Sequence, residues 1–110
     1  MATTHTDRIR ELNDNLRQNL AAGVAVITPG VAALGDEAVQ RIVKTIEVYD
    51  DFCYANDPHE EHDFGAFDAD GNRVFFKIDY FDKALSMHSP DPADPAVTNR
   101  VITIMLAEEY

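Results

Sequence analysis

The alternation of apolar and polar residues after an Asp-Gly pair constrains the fold more than any other segment. Within residues 72–80 the apolar side chains fall at every second position: Val74, Phe76, Ile78 and Tyr80. This period is that of a strand with one buried face. Residues 62–69 form a second strand-like segment before Asp70-Gly71, and an Asp-Gly pair readily takes the positive φ angles of a tight turn. The sequence therefore predicts a β-hairpin over residues 62–80.

Residues 4–20 have the three- and four-residue spacing of an amphipathic helix. Its apolar stripe consists of Ile9, Leu12, Leu16 and Leu20. Thr4 together with Asp7, or else Thr6, is the predicted cap at its start, and Gly23 is predicted to end it. Because the stripe is narrow, we expect this helix to lie on the core rather than inside it.

A second amphipathic helix is predicted over residues 36–52, with Asp36 as its N-cap after Gly35. Its predicted apolar face consists of Val39, Ile42, Val43, Ile46, Tyr49 and Cys53. A single cysteine on such a face is usually a small buried side chain. We therefore expect Cys53 to be buried and without a catalytic role.

The remaining segments extend the predicted sheet. Residues 23–28 predict a strand, and residues 28–31 place proline and glycine at the two central positions of a type II turn. A short strand is expected over residues 85–88, and the three prolines of residues 89–95 predict a loop without helix. Residues 97–110 fit a strand or a helix. We predict a strand, because the hairpin needs another apolar neighbour to be stable.

These elements predict an α+β fold with two helices packed on one face of a small, mostly antiparallel sheet of four or five strands. The 110 residues match the usual size of one domain, taken as residues 1–110. No apolar run approaches the roughly 18 residues of a membrane span, and the first residues lack a signal-peptide core. With one cysteine, which fits a reducing compartment, the chain is expected to be cytoplasmic and to bind no membrane.

Acidic residues dominate the charge of the chain. There are 20 Asp and Glu against 9 Lys and Arg, so the formal net charge is −11 at pH 7. Residues 47–70 contain many of the acids and no lysine or arginine. Such a chain repels nucleic acids and anionic membranes. We therefore expect no direct binding of nucleic acid, and cations or basic protein surfaces as partners.

The acidic segment is predicted to form a protein-binding face. Carboxylates are about 6.6 Å apart at alternate strand positions and about 5–6 Å apart on successive helical turns, of the same order as the roughly 3.4 Å between phosphates of a nucleic-acid strand. Tyr54 is expected to be exposed within this face, as in many binding patches. The predicted partner-binding residues are Glu47, Asp50, Asp51, Tyr54, Asp57, Glu60, Glu61, Asp63, Asp68 and Asp70. The other interpretation of the same charge is solubility alone.

Two histidines in the acidic segment indicate a metal site as an alternative. Zn²⁺ takes three or four ligands from histidine, cysteine and carboxylate, and manganese or iron accepts histidine with carboxylate. His59 and His62, three residues apart among carboxylates, would supply two ligands, and a third would come from Asp79, Asp82 or His88. The simpler interpretation is a polar loop before the hairpin, in which His62 or Asp63 bonds the backbone.

Other signals for catalysis are weak. The five glycines are nowhere clustered, so the chain has no glycine-rich phosphate loop. Ser86, His88 and Ser89 are close in sequence, but neighbouring residues of a strand point to opposite faces. The sequence leaves enzymatic activity undecided and favours its absence.

Three blocks of the sequence together resemble a known family: NDPHEEHDFGAF (residues 56–67), FFKIDYFD (residues 75–82) and DPADPAVTNRVITIMLAEEY (residues 91–110). They are similar to the domain of unknown function 3768 family, which is common in alphaproteobacteria. The resemblance implies a mobile-element neighbourhood, because members are often carried on plasmids beside anti-restriction and partition genes. It implies no reaction and no cofactor.

Charge and resemblance together predict a small acidic protein-binding module of a mobile element. Under this hypothesis the acidic face mimics a nucleic acid and occupies a basic nucleic-acid-binding protein of the host, such as a CRISPR effector or a restriction component. The protein would then be an anti-CRISPR or anti-restriction inhibitor without a cofactor. The alternative is a metal-binding protein or metal-dependent enzyme centred on His59 and His62, with zinc or another divalent metal.

Overall fold

The computed structural model describes residues 4–110; residues 1–3 of the predicted domain lie outside this range. Its elements, in chain order, are α1 (His5–Gln18), a 3-10 turn (Leu20–Ala22), β1 (Val24–Ile27), α2 (Pro29–Ala32), α3 (Asp36–Val48), β2 (Phe64–Ala69), β3 (Asn72–Phe81), β4 (Asn99–Leu106) and a final 3-10 turn (Ala107–Glu109). None of the helices within residues 4–110 is long and apolar enough to cross a membrane.

The four strands form one open sheet in the order β1-β4-β3-β2. The pairs β2–β3 and β3–β4 are antiparallel, and β1 runs parallel to β4. The strand predicted for the last segment is confirmed over Asn99–Leu106 and lies at the centre of the sheet, between β1 and β3. The α+β class and the mostly antiparallel sheet are thereby confirmed.

The predicted hairpin is confirmed in its turn and in its alternation. Asp70 and Gly71 have φ angles of 52° and 82°, and β2 and β3 pair on either side of them from Ala69↔Asn72 to Phe64↔Lys77. The alternating side chains of β3 are buried, with Phe76 fully so: Val74, Phe76, Ile78 and Tyr80. The period-2 pattern therefore specified which face of β3 would meet the core.

The core lies between this face of the sheet and the helices α1 and α3. Its buried members from outside β3 are Ile9, Leu16, Val31, Ile42, Ile46, Tyr49, Ile102, Ile104 and Leu106. Two of the four α1 residues that are buried are polar, however: Asn13 and Arg17. The narrow apolar stripe of this helix is thus completed by polar side chains that need partners inside the protein.

The start of α1 is confirmed and its predicted end is wrong. The Thr4 hydroxyl accepts from the Asp7 N–H at 3.0 Å, and the Asp7 carboxylate accepts from the Thr4 N–H at 3.3 Å, which is a capping box. The helix ends at Gln18, with Asn19 as its C-cap, and not at Gly23. Gly23 instead lies against Leu16 and the Arg100 carbonyl, where a Cβ atom would come within 2.9 Å and 3.1 Å of them.

The bounds of α3 differ from the prediction at both ends. Its N-cap is Gly35, at φ 97°, and Asp36 is its first helical residue. The helix ends at Val48 rather than at residue 52, because Arg17 of α1 donates to the carbonyls of Ile46 and Tyr49 at 3.0 Å and 2.8 Å. Chain reversal after Val48 also leaves Cys53 exposed, so its predicted burial is wrong.

Two shorter predictions are also corrected. The predicted type II turn of residues 28–31 is instead the start of α2, with Pro29 at the first helical position, where its missing N–H costs nothing. Residues 85–88 form no strand in the described chain but one isolated bridge between Phe81 and His88. The Asp82 carboxylate accepts the N–H groups of Ser86 and Met87 at 3.0 Å and 3.4 Å, which stabilises a turn in place of the strand.

A buried hydrogen-bond network around Asn13 connects α1 to four other segments. The Asn13 amide group donates to the Glu61 carbonyl at 3.0 Å and to the Tyr80 hydroxyl at 2.7 Å. Its carbonyl oxygen accepts from Arg100 Nε at 2.9 Å. Arg100 also donates to the Pro92 carbonyl. A fully buried asparagine therefore joins the loop before β2, the strands β3 and β4, and the proline-containing loop.

Replacing this asparagine tests how much of the fold depends on the network. Asn13→Leu leaves Arg100 Nε and the Glu61 carbonyl without their partners, and buried unsatisfied groups each cost about 1–3 kcal/mol. We expect the free energy of unfolding, measured by urea titration, to fall by about 3 kcal/mol. The control Asn15→Leu changes an exposed residue of the same helix and should cost less than about 0.5 kcal/mol. Equal losses for the two variants would contradict this role.

Candidate protein-binding surface

The acids of residues 47–70 fall into two groups in the structure. Glu47, Asp50 and Asp51 lie at the end of α3, and the loop of residues 49–63 adds Asp57, Glu60, Glu61 and Asp63. Asp68 and Asp70 lie at the hairpin turn. The two groups are separated by the length of β2, which is about 17 Å for a strand of this size. The fold therefore does not bring all the predicted residues onto one continuous face.

The two hairpin acids have basic partners. Asp70 forms an ion pair with Arg41 of α3 at 2.5 Å, and Asp68 pairs with Arg73 of β3 at 3.4 Å. These pairs reduce the negative potential around the turn. The local charge at the hairpin is consequently more balanced than the sequence of residues 47–70 indicates.

The buried carboxylate of Asp57 stabilises the loop by accepting hydrogen bonds from its backbone. Its side chain is only 4% exposed, and its Oδ1 accepts the N–H groups of Glu61 and His62 at 3.0 Å and 3.1 Å. These bonds hold Glu60 and His62 at φ angles of 58° and 56°, which non-glycine residues rarely adopt. The Asp57 carboxylate thus maintains the conformation of the loop and faces the protein interior.

His62 is held between two carboxylates and an aromatic ring. Its Nδ1 lies 2.8 Å from Asp14 Oδ1 of α1, and its Nε2 lies 3.8 Å from Asp57 Oδ2. The imidazole stacks on Phe52 with 3.8 Å between ring centroids and an interplanar angle of 5°. Both ring nitrogens thus face carboxylates on different segments. His62 therefore ties the loop to α1.

The second histidine of the metal hypothesis has a different environment. His59 is exposed, and no group of three or more His, Cys, Asp or Glu within residues 4–110 is arranged to hold a metal ion. The third ligand that a site on His59 and His62 requires is therefore not supplied by the described residues. Metal binding stays a prediction from the sequence.

Two further acids of the loop lie in partly buried positions. The Tyr80 hydroxyl donates to Glu61 Oε1 at 2.8 Å, and burial, together with the Glu61 carboxylate, raises the pKa of Tyr80 above its ordinary value. Asp63 is half-buried, and its pKa is raised by burial first and then by the neighbouring charge of Glu61. Glu61 is thus hydrogen-bonded within the network around Asn13, whereas burial disfavours the charged form of Asp63.

The remaining acids surround two exposed side chains with large apolar surfaces. Tyr54 is 84% exposed and Val48 is 77% exposed. The acids around them are Glu47, Asp50, Asp51 and Glu60, all exposed. Within residues 4–110, none of these four carboxylates is in an ion pair or a side-chain hydrogen bond of the described network. We call these six residues the acidic patch.

The acidic patch borders two adjacent hollows, of about 380 Å³ and about 330 Å³. The first is lined by Glu47, Val48 and Asp50 together with Arg17, and the second by Tyr54 and Glu60 together with Arg10. The stacked pair of Phe52 and His62 lines both hollows and therefore forms the wall between them. The patch accordingly has a concave relief into which side chains of a partner can fit.

The predicted residues include Tyr54 and the four acids of the patch, whereas exposed Val48 and the residues that position the patch were missed. The exposure of Tyr54 is confirmed. The contributions of Asp14 and Arg17 were missed, because they lie on α1, far from the acidic segment in sequence. The available signal was their i,i+3 spacing, which predicts an ion pair on the helix surface. Nothing in that spacing indicates that Arg17 is buried against the end of α3.

The raised pKa of Asp63 leads to a prediction about stability and pH. Because the folded protein holds this proton more tightly than the unfolded chain, the contribution of Asp63 to stability is greatest below its ordinary pKa of 3.8 and is lost as pH rises through the folded value. Asp63→Asn should therefore raise the melting temperature at pH 7, and the gain should shrink towards pH 4. Asp51→Asn removes the same charge from an exposed site and controls for general repulsion. A gain that is equal in both variants, or constant with pH, would contradict the prediction.

Comparison with known proteins gives a family and no function. No curated protein matches the chain, and no solved structure matches it either. A family model described as "Protein of unknown function (DUF3768)" matches residues 27–109, from the last residue of β1 to the final 3-10 turn. The match includes the whole acidic patch and leaves α1 outside. With three quarters of its length matched, the chain belongs to the DUF3768 family.

Proposed function

We propose that the protein acts by binding a basic surface of another protein through the acidic patch. The observation that carries this proposal is the exposure of Tyr54 and Val48, at 84% and 77%, among four unpaired carboxylates. An exposed aromatic ring beside a hollow is the usual centre of an interface, and the charges around it steer and orient the partner. Tyr54 and Val48 are two of the eight exposed large hydrophobic side chains of the described residues, and both line the hollows that the free carboxylates border.

The placement of the cations supports a basic partner. Arg17 and Arg100 are two of the nine basic residues, and both are buried. Asp57 is the one buried acid among the described residues. The outer surface is therefore more negative than the formal net charge of −11 indicates. Such a surface accelerates association with a positively charged partner and makes the association sensitive to salt.

The kind of partner we propose is a basic protein that handles nucleic acid. Glu47 lies on the last turn of α3, and Asp50 and Asp51 follow the end of that helix, so three carboxylates fall within five residues and concentrate negative charge, as the phosphates of a nucleic-acid strand do. The family resemblance implies that the gene lies on a mobile element beside anti-restriction genes. This genomic neighbourhood suggests a role against host defence. In that setting the protein is a cytoplasmic inhibitor of a host CRISPR or restriction component. It requires neither a catalytic residue nor a cofactor.

Salt-dependent capture followed by competition tests this function. The tagged protein is used to capture proteins from an alphaproteobacterial lysate at about 50 mM and at about 500 mM NaCl, where exposed charges are weakly and strongly screened. We expect a nucleic-acid-binding protein at low salt and its release at high salt. With the purified partner, a nucleic acid that it binds should compete with the acidic protein. Binding that survives high salt, or that nucleic acid does not affect, would contradict the proposal.

Charge-reversal variants test whether the acidic patch is the site. The triple variant Glu47→Lys, Asp50→Lys, Glu60→Lys should weaken binding of the captured partner at least about 100-fold, because like charges then face each other. The matched control Glu11→Lys, Glu37→Lys, Glu108→Lys has the same net charge and changes exposed residues away from the patch. The control should weaken binding at most about tenfold, since it acts through the general field alone. Equal effects would show attraction to overall charge and not to this patch.

A neutral substitution separates the apolar centre from the charges. Tyr54→Ala leaves the net charge unchanged and, as the loss of an exposed anchor, should weaken binding by about 2 kcal/mol, or about 30-fold. The control Tyr110→Ala removes another tyrosine, 77% exposed and outside the patch, and should leave the affinity within about twofold. Calorimetric titration measures both. An unchanged affinity for Tyr54→Ala would remove the tyrosine from the interface.

A further inference from the structure

The two edges of the sheet differ in their exposure and charge. β1 forms one edge, and all four of its residues are exposed, with Val24, Val26 and Ile27 at 41%, 43% and 40%. Three of the eight exposed large hydrophobic side chains of the described chain therefore lie on one four-residue strand. Exposed apolar edge strands are sites where further strands add to a sheet.

The strand β1 and its neighbours in sequence contain no charged residue, and the carboxylate of Glu109, which lies beside the end of the strand, accepts from the Thr28 hydroxyl at 2.6 Å and the Gly30 N–H at 3.0 Å. Residues 20–35, from the 3-10 turn to the start of α3, include no Asp, Glu, Lys or Arg, in a chain of which 26% is charged. The opposite edge, β2, contains Asp68 and lies between Asp63 and Asp70. Charged residues on an edge prevent pairing with another strand, and β1 lacks this protection. Two highly acidic molecules can therefore approach each other at β1 with less repulsion than at β2.

The backbone of β1 has hydrogen-bonding groups available at this edge. The Thr28 N–H donates to the Ile104 carbonyl of β4 at 3.1 Å. Because backbone groups alternate in direction along a strand, those of Ala25 and Ile27 point away from β4. Within residues 4–110, no strand pairs with that side of β1. Two N–H and two C=O groups are thus presented to whatever approaches the edge.

We propose that two copies of this chain pair through β1, antiparallel, about a two-fold axis at Val26. In an antiparallel pair of this geometry Ala25 lies opposite Ile27 of the second copy, and the outward backbone groups of both copies form four hydrogen bonds. Val26 then faces Val26 of the second copy as a pair without hydrogen bonds. A second copy is the occupant because it brings an equally uncharged, apolar strand, so that no charged side chain of either strand is buried in the contact.

This pairing joins two four-stranded sheets into one of eight strands and presents two acidic patches. It does not depend on the proposed function, since β1 lies on the opposite edge of the sheet from the hairpin and shares no residue with the patch. A four-residue strand buries less than a standard interface of about 1,600 Å². The dimer is therefore one that dissociates on dilution.

Disulfide cross-linking tests the register. Val26→Cys is made in a Cys53→Ser background, because Cys53 is exposed and would form disulfides of its own. Cα atoms of a pair without hydrogen bonds are about 4.5 Å apart, within the range for a disulfide. We expect Val26→Cys to give a covalent dimer under mild oxidation at least about tenfold faster than Ala25→Cys in the same background. A mixture of Ala25→Cys and Ile27→Cys chains should cross-link faster than Ala25→Cys alone.

Sedimentation velocity on the unmodified chain tests the association without a variant. From about 5 µM to about 500 µM protein, we expect the sedimentation coefficient to rise from that of a monomer to that of a dimer. Val26→Lys, on an exposed position of β1, should raise the dimer dissociation constant at least about tenfold. Val48→Lys, on α3, is the matched control and should leave it unchanged. A monomer throughout this range, equal cross-linking at positions 25 and 26, or an unchanged constant for Val26→Lys would overturn the proposal.

Discussion

The buried guanidinium of Arg17 is the contact on which the shape of the candidate surface depends. A charged group inside a protein is costly unless hydrogen bonds and a counter-charge replace its water. The two terminal nitrogens of Arg17 have both, because they donate to the carbonyls of Ile46 and Tyr49 and pair with Asp14 at 2.6 Å, whereas its buried Nε has no hydrogen-bond partner among the described residues. It also lies 5.0 Å from the Phe52 ring centroid. Arg17 thereby satisfies two carbonyls at the C-terminal end of α3 and joins α1 to the point where the acidic loop begins.

The burial of two arginines also makes the surface of the protein more acidic. Arg17 and Arg100 are both removed from solvent, and their partners are mainly backbone carbonyls and Asn13 rather than the acids of the loop. Within residues 4–110 the carboxylates of the acidic patch form no ion pair, although Arg10 lies near Glu60 and donates to its carbonyl, whereas those of the hairpin turn are paired with Arg41 and Arg73. The free carboxylates are the basis of the proposed binding of a basic partner. The uncharged strand β1 is likewise the basis of the proposed pairing of two copies.

The sequence predicted the regular elements well where a periodic pattern extended over several residues. The hairpin over β2 and β3, the capping box of Thr4 and Asp7 and the last strand follow from alternation, from cap chemistry and from β-branched residues. The predictions that were wrong concern ends and connections: Gly23 as a helix end, α3 extending to residue 52, a type II turn at Pro29 and a strand at residues 85–88. Such boundaries depend on distant partners, as the end of α3 depends on Arg17.

The sequence by itself determined the α+β class, the buried face of β3 and the acidity of residues 47–70, because each follows from residues close together in the chain. Only the tertiary structure decided which acids are free. Asp57 is buried as a loop support, Glu61 accepts from Tyr80, Asp68 and Asp70 are paired, and Glu47, Asp50, Asp51 and Glu60 remain exposed around Tyr54 and Val48. The physical reason is that burial and ion pairing depend on contacts between segments as far apart in the chain as Asp14 and His62. The spacing of residues along the sequence does not predict such contacts.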